Sequence, residues 1–192
     1  MVKVKRRIAL LDRDGTVIIE RGFLADPKGV KLVPGSAGAI KRLKKAGWAV
    51  SIVTNQSGVG RGLYTLAQMR ATNARTLEVL RRAGARADSL EYCPHHPEAE
   101  IRRYRRKCSC RKPGPGMARR AARKAGATLK GCVAVGDRLV DVLLGQGLGG
   151  KGVLVLTGYG RKHRALARKQ GVKPDAVVRN LASAADWILL QQ

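Results

Sequence analysis

The sequence predicts a three-layer, Rossmann-like α/β domain with a mostly parallel sheet and helices on both faces. Short apolar runs of strand length alternate along the chain with longer segments of helical periodicity, the pattern of right-handed crossovers between parallel strands. Three of those runs end on polar residues, Asp12, Thr54 and Asp137. In an open parallel sheet the C-terminal strand ends share one edge, where such folds place their chemistry. At 192 residues the chain suits one domain with a full core better than two, so residues 1–192 are read as a single domain.

Each element follows from local pattern. Ile8 to Asp12 reads as the first strand. Ile18 to Val33, broken by Gly22, Pro27 and Gly29 and closed by Pro34, reads as a loop with room for a short hairpin. Ser36 to Lys45 is a helix with Ala39, Ile40 and Leu43 on its apolar side and Gly47 as its stop. Trp48 to Val53 is apolar enough for a strand covered on both faces. The glycine-rich loop Thr54 to Gly62 follows, and then a helix from Thr65, a suitable N-cap, to Arg82, with Gly84 as terminator. Ser89 to Tyr92 is a short strand, and Pro115 or Gly116 to Lys124 a helix closed by Gly126. Cys132 to Asp137 is a strand and Leu139 to Leu144 opens a helix. Gly152 to Leu156, Arg161 to Gln170, Asp175 to Val178 and Leu181 to Leu190 complete the chain as strand, helix, strand and helix.

Charge sets the protein apart: 39 Lys and Arg against 13 Asp and Glu, formally +26. Such an excess attracts polyanions, either phosphorylated small molecules or nucleic acid through nonspecific charge. The basic residues are spread over nearly every segment, and aromatics at 4% do not suggest stacking platforms for single strands. No apolar run approaches the length needed to cross a bilayer. The basic start, Met1 to Arg7, is followed only by Ile8 to Leu11 before Asp12 interrupts, too short for a signal-peptide core. The expected location is therefore the cytoplasm, with no membrane partner.

Asp12 and Asp14 alternate along an extended backbone and so face the same way, and Gly15 lets the chain turn at once. Asp137 closes a later strand, with Asp141 about one helical turn further on. These are four of only 13 acids gathered at one rim of a basic molecule, which a hard cation such as Mg²⁺ would explain. Taken singly, Asp137 could be a helix N-cap and Asp141 a helix-surface acid. The Thr54 loop offers a hydroxyl and backbone N–H groups to a phosphate. Cys93 and His95, with Cys108 and Cys110, form two closely spaced pairs of thiolate and imidazole donors, the pattern of a closed structural Zn²⁺ site; His96 could replace His95. Such a site would staple residues 93–112 and could aim Lys112 at the acidic rim. Cys132, inside a strand, reads as buried apolar filler.

In order, Asp12 to Thr16, Thr54 to Ser57, Arg111 to Pro113, and Gly136 and Asp137 with Asp141 resemble the four motifs of haloacid dehalogenase superfamily phosphatases. The segments around Cys93 and from Cys108 to Met117 are similar to those of the zinc-bearing heptose 1,7-bisphosphate 7-phosphatases, with histidinol-phosphate phosphatases as close relatives. No insertion is large enough for a separate cap domain, and a monomer is expected. The resemblance, from about Ile8 to about Leu190, implies a haloacid dehalogenase-like fold. It also implies Mg²⁺-dependent hydrolysis of the 7-phosphate of D-glycero-D-manno-heptose 1,7-bisphosphate, giving a heptose 1-phosphate precursor of nucleotide-activated heptose and lipopolysaccharide core. Asp12 would be the nucleophile that forms an aspartyl-phosphate and Asp14 the general acid and base. Thr54 and Lys112 would hold the phosphoryl oxygens, and Mg²⁺ would sit on Asp12, the Asp14 carbonyl and Asp137. Substrate contacts would come from Glu20, Arg21, Gly22 and Phe23, from Asn55, Gln56 and Ser57, and from Arg111 and Arg138. The run Glu20 to Phe23 departs from the Asp-His-Gly-Tyr more usual in relatives, which bears on sugar or anomer preference. A histidinol-phosphate phosphatase, a polynucleotide 3′-phosphatase without the zinc pattern, or a nucleic-acid-binding protein on a phosphatase scaffold are the alternatives.

Overall fold

The computed structural model describes residues 6–191; most of the basic N-terminal stretch, residues 1–5, lies outside the described residues. Among them the strands are β1 (Arg6–Leu11), β2 (Ala49–Asn55), β3 (Ser89–Cys93), β4 (Ala127–Gly136), β5 (Lys151–Val155) and β6 (Ala176–Val178). The helices are α1 (Ser36–Lys45), α2 (Leu66–Arg82), α3 (Gly116–Lys124), α4 (Leu139–Gly147), α5 (Gly160–Lys169) and α6 (Leu181–Leu189). All strand pairings are parallel, in the order β3-β2-β1-β4-β5-β6. The chain reverses its direction of travel across the sheet between β1 and β4, where an open α/β sheet leaves a crevice.

Strand alternation builds the layers. Ala9 and Leu11 face one side, against Ala39, Ile40 and Leu43 of α1 and Leu181, Ala184, Ala185 and Ile188 of α6. Ile8 and Leu10 face the other, against Met117, Ala118, Ala121 and Ala122 of α3 and Leu144 of α4. Each fully buried Ile or Leu contributes roughly 1.5–3 kcal/mol, so β1 is pinned from both sides and its C-terminal end has little freedom. Among the described residues no helix is long and apolar enough to cross a membrane.

Local chemistry sets the ends. Thr65 caps α2 as expected, its Oγ1 accepting from Gln68 N at 3.2 Å while Gln68 Oε1 accepts from Thr65 N at 2.8 Å. β4 begins at Ala127 rather than Cys132, with a register shift opposite Arg7 to Ala9. Its first half is partly exposed and irregular, which hid it from a reading based on apolar runs. The hairpin allowed for between Ile18 and Val33 reduces to one antiparallel bridge, Ile18 to Leu32, and a 3₁₀ turn at Pro27–Gly29.

Candidate active site

The C-terminal ends of β1, β2 and β4 open into a cavity of about 310 Å³. Asp12, Asp14, Thr54, Lys112 and Asp141 line it, and Asp137 is fully buried close by. Asp12 is tied to the neighbouring strand through its N–H, which donates to Val135 O at 2.8 Å. Gly15 then turns with φ +75°, and a Cβ there would come within 2.2 Å of Asp137 Oδ2. Gly158 approaches the same oxygen as closely, so the two glycines form a cradle around the Asp137 carboxylate that side chains would fill.

Lys112, 3% exposed, places its ammonium among three acceptors: Asp12 Oδ1 at 2.5 Å, Asp141 Oδ1 at 2.6 Å and Val53 O at 2.7 Å. Burial works against that charge, but Asp12 and Asp141 more than offset it, and the lysine pKa is raised. Asp12 is nonetheless pushed up to about 7, because burial, with repulsion from Asp141 and Asp14, outweighs the attraction of Lys112. Burial, seconded by the charge of Asp12, raises Asp137 to about 8. Both results express one imbalance: Asp12, Asp137 and Asp141 lie together, and the buried ammonium of Lys112 pairs with only Asp12 and Asp141.

Oxygen atoms of Asp12, Asp137 and Asp141 lie within 4.8 Å of one another. Asp137 Oδ2 accepts from Tyr159 N at 2.8 Å, whereas its buried Oδ1 has no hydrogen-bond donor. All-oxygen donors, three clustered carboxylates against one buried ammonium, and an orphaned carboxylate oxygen fit a hard divalent cation. Neither surface role considered for the later acids holds. Arg138, not Asp137, is the N-cap of α4. Asp141 is 2% exposed; its Oδ2 accepts from Arg138 N and its Oδ1 pairs with Lys112.

The Asp14 carboxylate turns toward Gln56, a residue expected at the site, and toward Arg13, for which the sequence suggests no role. Arg13, 1% exposed, donates from Nε to both Asp14 oxygens at 3.1 and 3.2 Å and from Nη2 to Oδ1 at 3.0 Å. Its Nη1 donates to Asn73 Oδ1 of α2 at 2.6 Å. Gln56 Nε2 donates to Asp14 Oδ2 and to Thr54 Oγ1, each at 2.8 Å, while Tyr64 OH donates to Gln56 Oε1 at 2.6 Å. Burial pushes the Tyr64 pKa up to about 12; it is the bond from its hydroxyl to Gln56 Oε1 that turns Nε2 toward Asp14. Arg13 lies in the turn beyond the last residue of β1, where strand alternation no longer fixes direction, and its guanidinium folds back onto the Asp14 carboxylate, a contact that no spacing rule signals.

The Cys93, His95, Cys108 and Cys110 donors also lie within 4.8 Å of one another. Five of the six separations among their sulfurs and His95 Nδ1 are 3.1–3.6 Å, and all four cysteines of the chain are free thiols. His96 faces away, with Arg61 Nη2 at 3.3 Å from its Nε2, so His95 is the histidine of the cluster. Burial and the nearby Arg106 lower the His95 pKa, favouring the neutral imidazole that metals bind. One thiolate–imidazole pair and one thiolate–thiolate pair, four donors in all, suit tetrahedral zinc with no ligand position left open. Cys132 is buried in the core beside α3 and α4, as expected.

Further out, the Arg138 guanidinium stacks 4.4 Å from the centre of the Tyr159 ring and lies 3.8 Å from Glu20 Oε2. Burial and the nearby Asp14 raise the Glu20 pKa. Glu20, Gly22, Phe23, Asn55, Gln56, Ser57, Arg111 and Arg138, all candidates for substrate contact, line the cavity, together with Arg61, Tyr64, Val140, Tyr159 and His163, for which the sequence suggests no role. Arg21, also expected to contact substrate, is exposed and is not among the residues that line the cavity. Tyr159 ends the β5–α5 connection and His163 lies in the first turn of α5, a stretch that carries no acid to advertise it.

A family model described as HAD-hydrolase-like matches residues 109–184. Over nearly its whole length the chain is similar to the D-glycero-beta-D-manno-heptose-1,7-bisphosphate 7-phosphatase of Bordetella bronchiseptica, with 38% identity over 186 residues covering 95% of this chain and 98% of that protein. The enzyme of the same name from Escherichia coli K12 is 34% identical over 181 residues, covering 93% of this chain and 86% of that one. A crystal structure of D,D-heptose 1,7-bisphosphate phosphatase from B. bronchiseptica, complexed with magnesium and phosphate, superposes with a TM-score of 0.81 at 38% identity, covering 97% of this chain and 99% of that one.

Proposed function

Since the chain belongs to the heptose 1,7-bisphosphate 7-phosphatase family of haloacid dehalogenase-like phosphatases, we propose that this phosphatase removes the 7-phosphate of D-glycero-β-D-manno-heptose 1,7-bisphosphate and leaves the 1-phosphate. The observation that carries the chemistry is the Asp12–Lys112–Asp141 cluster at the base of a cavity bordered by Arg61, Arg111 and Arg138. The substrate follows from the near full-length similarity to enzymes of that name. The product, an anomeric phosphate, would suit a following nucleotide activation.

Asp12 attacks phosphorus in line and takes the phosphoryl group as an aspartyl-phosphate, splitting one difficult displacement into two. Asp14 gives a proton to the departing sugar oxygen and then takes one from the attacking water. Thr54 Oγ1 and Lys112 Nζ hold the phosphoryl oxygens where charge accumulates. Mg²⁺, held by Asp12, the Asp14 carbonyl and Asp137 with Asp141 close by, would screen the nucleophile from the phosphate and polarise the latter. The zinc cluster is structural and keeps the segment that carries Arg111 and Lys112 in place. Arg61, Arg111 and Arg138 face the rest of the substrate, where a second phosphate is drawn by guanidinium groups.

A kinetic comparison of phosphate esters tests the reading. The heptose bisphosphate should be hydrolysed with a kcat/KM well above that of histidinol phosphate, a nucleic-acid 3′-phosphate and a simple aryl phosphate. Equal turnover of all four would refute the substrate, and an active Asp12→Asn would refute the nucleophile.

A further inference from the structure

Arg13 has no part in the chemistry above, yet it is among the largest fully buried side chains described. A buried guanidinium must find acceptors. Those recorded for Arg13 are few and specific: both oxygens of Asp14, and Asn73 Oδ1 of α2 at 2.6 Å. Nε and Nη2 lie along one side of the planar fork, matching the two oxygens of a carboxylate, while Nη1 reaches the asparagine. Asn73 is itself nearly buried, and its Nδ2 meets Met69 Sδ at 2.9 Å. One end of the arginine is therefore anchored on a helix 60 residues away in sequence, and the other grips the carboxylate assigned to proton transfer.

We infer that Arg13, anchored by Asn73, is a positioning residue that fixes the Asp14 carboxylate in the orientation from which it delivers a proton to the leaving oxygen. The role rests on the acid–base reading of Asp14 given above. Proton transfer needs the donor within hydrogen-bond reach and aligned, and an unrestrained Asp side chain would share its time among rotamers. Gln56 Nε2 at 2.8 Å restrains only Oδ2; the guanidinium restrains both oxygens and so fixes the plane of the carboxylate. Lysine could supply the charge there but not the two-sided grip.

Leaving-group dependence separates this role from mere support of the fold. An alkoxide leaves badly without a proton, whereas 4-nitrophenolate leaves without one. The value of kcat/KM reports steps up to that departure. For an alkyl phosphate, Arg13→Met should lose on the order of 100-fold, Arg13→Lys and Asn73→Ala about 10-fold, and all three less than about 3-fold for 4-nitrophenyl phosphate. Asp14→Asn, measured alongside, should show the same split more strongly. If Asp14→Asn shows the split and the Arg13 and Asn73 variants lose equally on both esters, the positioning role is overturned and the acid–base reading stands. If Asp14→Asn itself shows no split, the acid–base reading falls and takes this inference with it. Asn73 does not line the cavity, so Asn73→Ala decides the matter even where Arg13→Met does not fold.

Discussion

The side-chain amide of Asn55 holds both main-chain polar groups of Lys112: its Oδ1 accepts from Lys112 N at 3.0 Å and its Nδ2 donates to Lys112 O at 3.2 Å. A residue at the end of β2 thus fixes the backbone of a residue 57 positions away, and with it the point from which the lysine side chain reaches Asp12. Asn55 had been expected to touch substrate. It does line the cavity, but its amide is already committed to Lys112.

Replacing Asn55 by Ala should therefore act through Lys112. The expected result is a drop in kcat of about 10- to 100-fold with a smaller change in KM, as a catalytic group loses alignment. Steady-state kinetics checks this; a change confined to KM would return Asn55 to a substrate-binding role.

Removing the ammonium has a different signature. Lys112→Met leaves Asp12 and Asp141 buried without their counter-charge and should cost about 3–5 kcal/mol near neutral pH. The loss should shrink in acid, where the carboxylates protonate instead. Denaturant unfolding of wild type and variant at two pH values measures it.

The raised carboxylates make the metal-free protein sensitive to pH. Asp12 and Asp137 titrate at about 7 and about 8 in the fold, against 3.8 ordinarily. The folded state holds more protons than the unfolded one across that interval. Their contribution to stability is thus fully present below the ordinary carboxylate value and is lost as pH rises through the folded values. Mg²⁺ needs both groups ionised and should bind more tightly over the same rise. In thermal melts with chelator, Tm should fall between about pH 5 and about pH 8.5, and the Tm gain on adding Mg²⁺ should be larger at the upper end. A gain independent of pH would contradict the assignment of these carboxylates to the metal.

Zinc should be present at one equivalent by elemental analysis. Stripping it, or replacing Cys108 by Ser, should loosen the segment that ends at Lys112 and lower kcat by about 10- to 100-fold. Zinc, but not Mg²⁺, should restore the stripped protein. Full activity after complete removal would detach the cluster from the active site.

Much of this protein follows from local pattern. The alternation of apolar runs with helical periods determined the parallel sheet, since each run is too short to be buried except between two layers of helices. The positions of Asp12, Asp14, Thr54, Lys112, Asp137 and the zinc-type donors were legible because chemistry demands those residue types at strand ends or at close spacing. Tertiary structure alone decided which partner each side chain takes. Asp141, readable as a helix-surface acid, is buried on Lys112; Arg21 leaves the cavity that Tyr159 and His163 enter; Arg13 joins Asp14 to Asn73. These are contacts between residues distant in sequence, set by which strands are neighbours and which loops cross their ends. A spacing rule reads one element at a time, and such pairings exist only once the whole sheet has assembled.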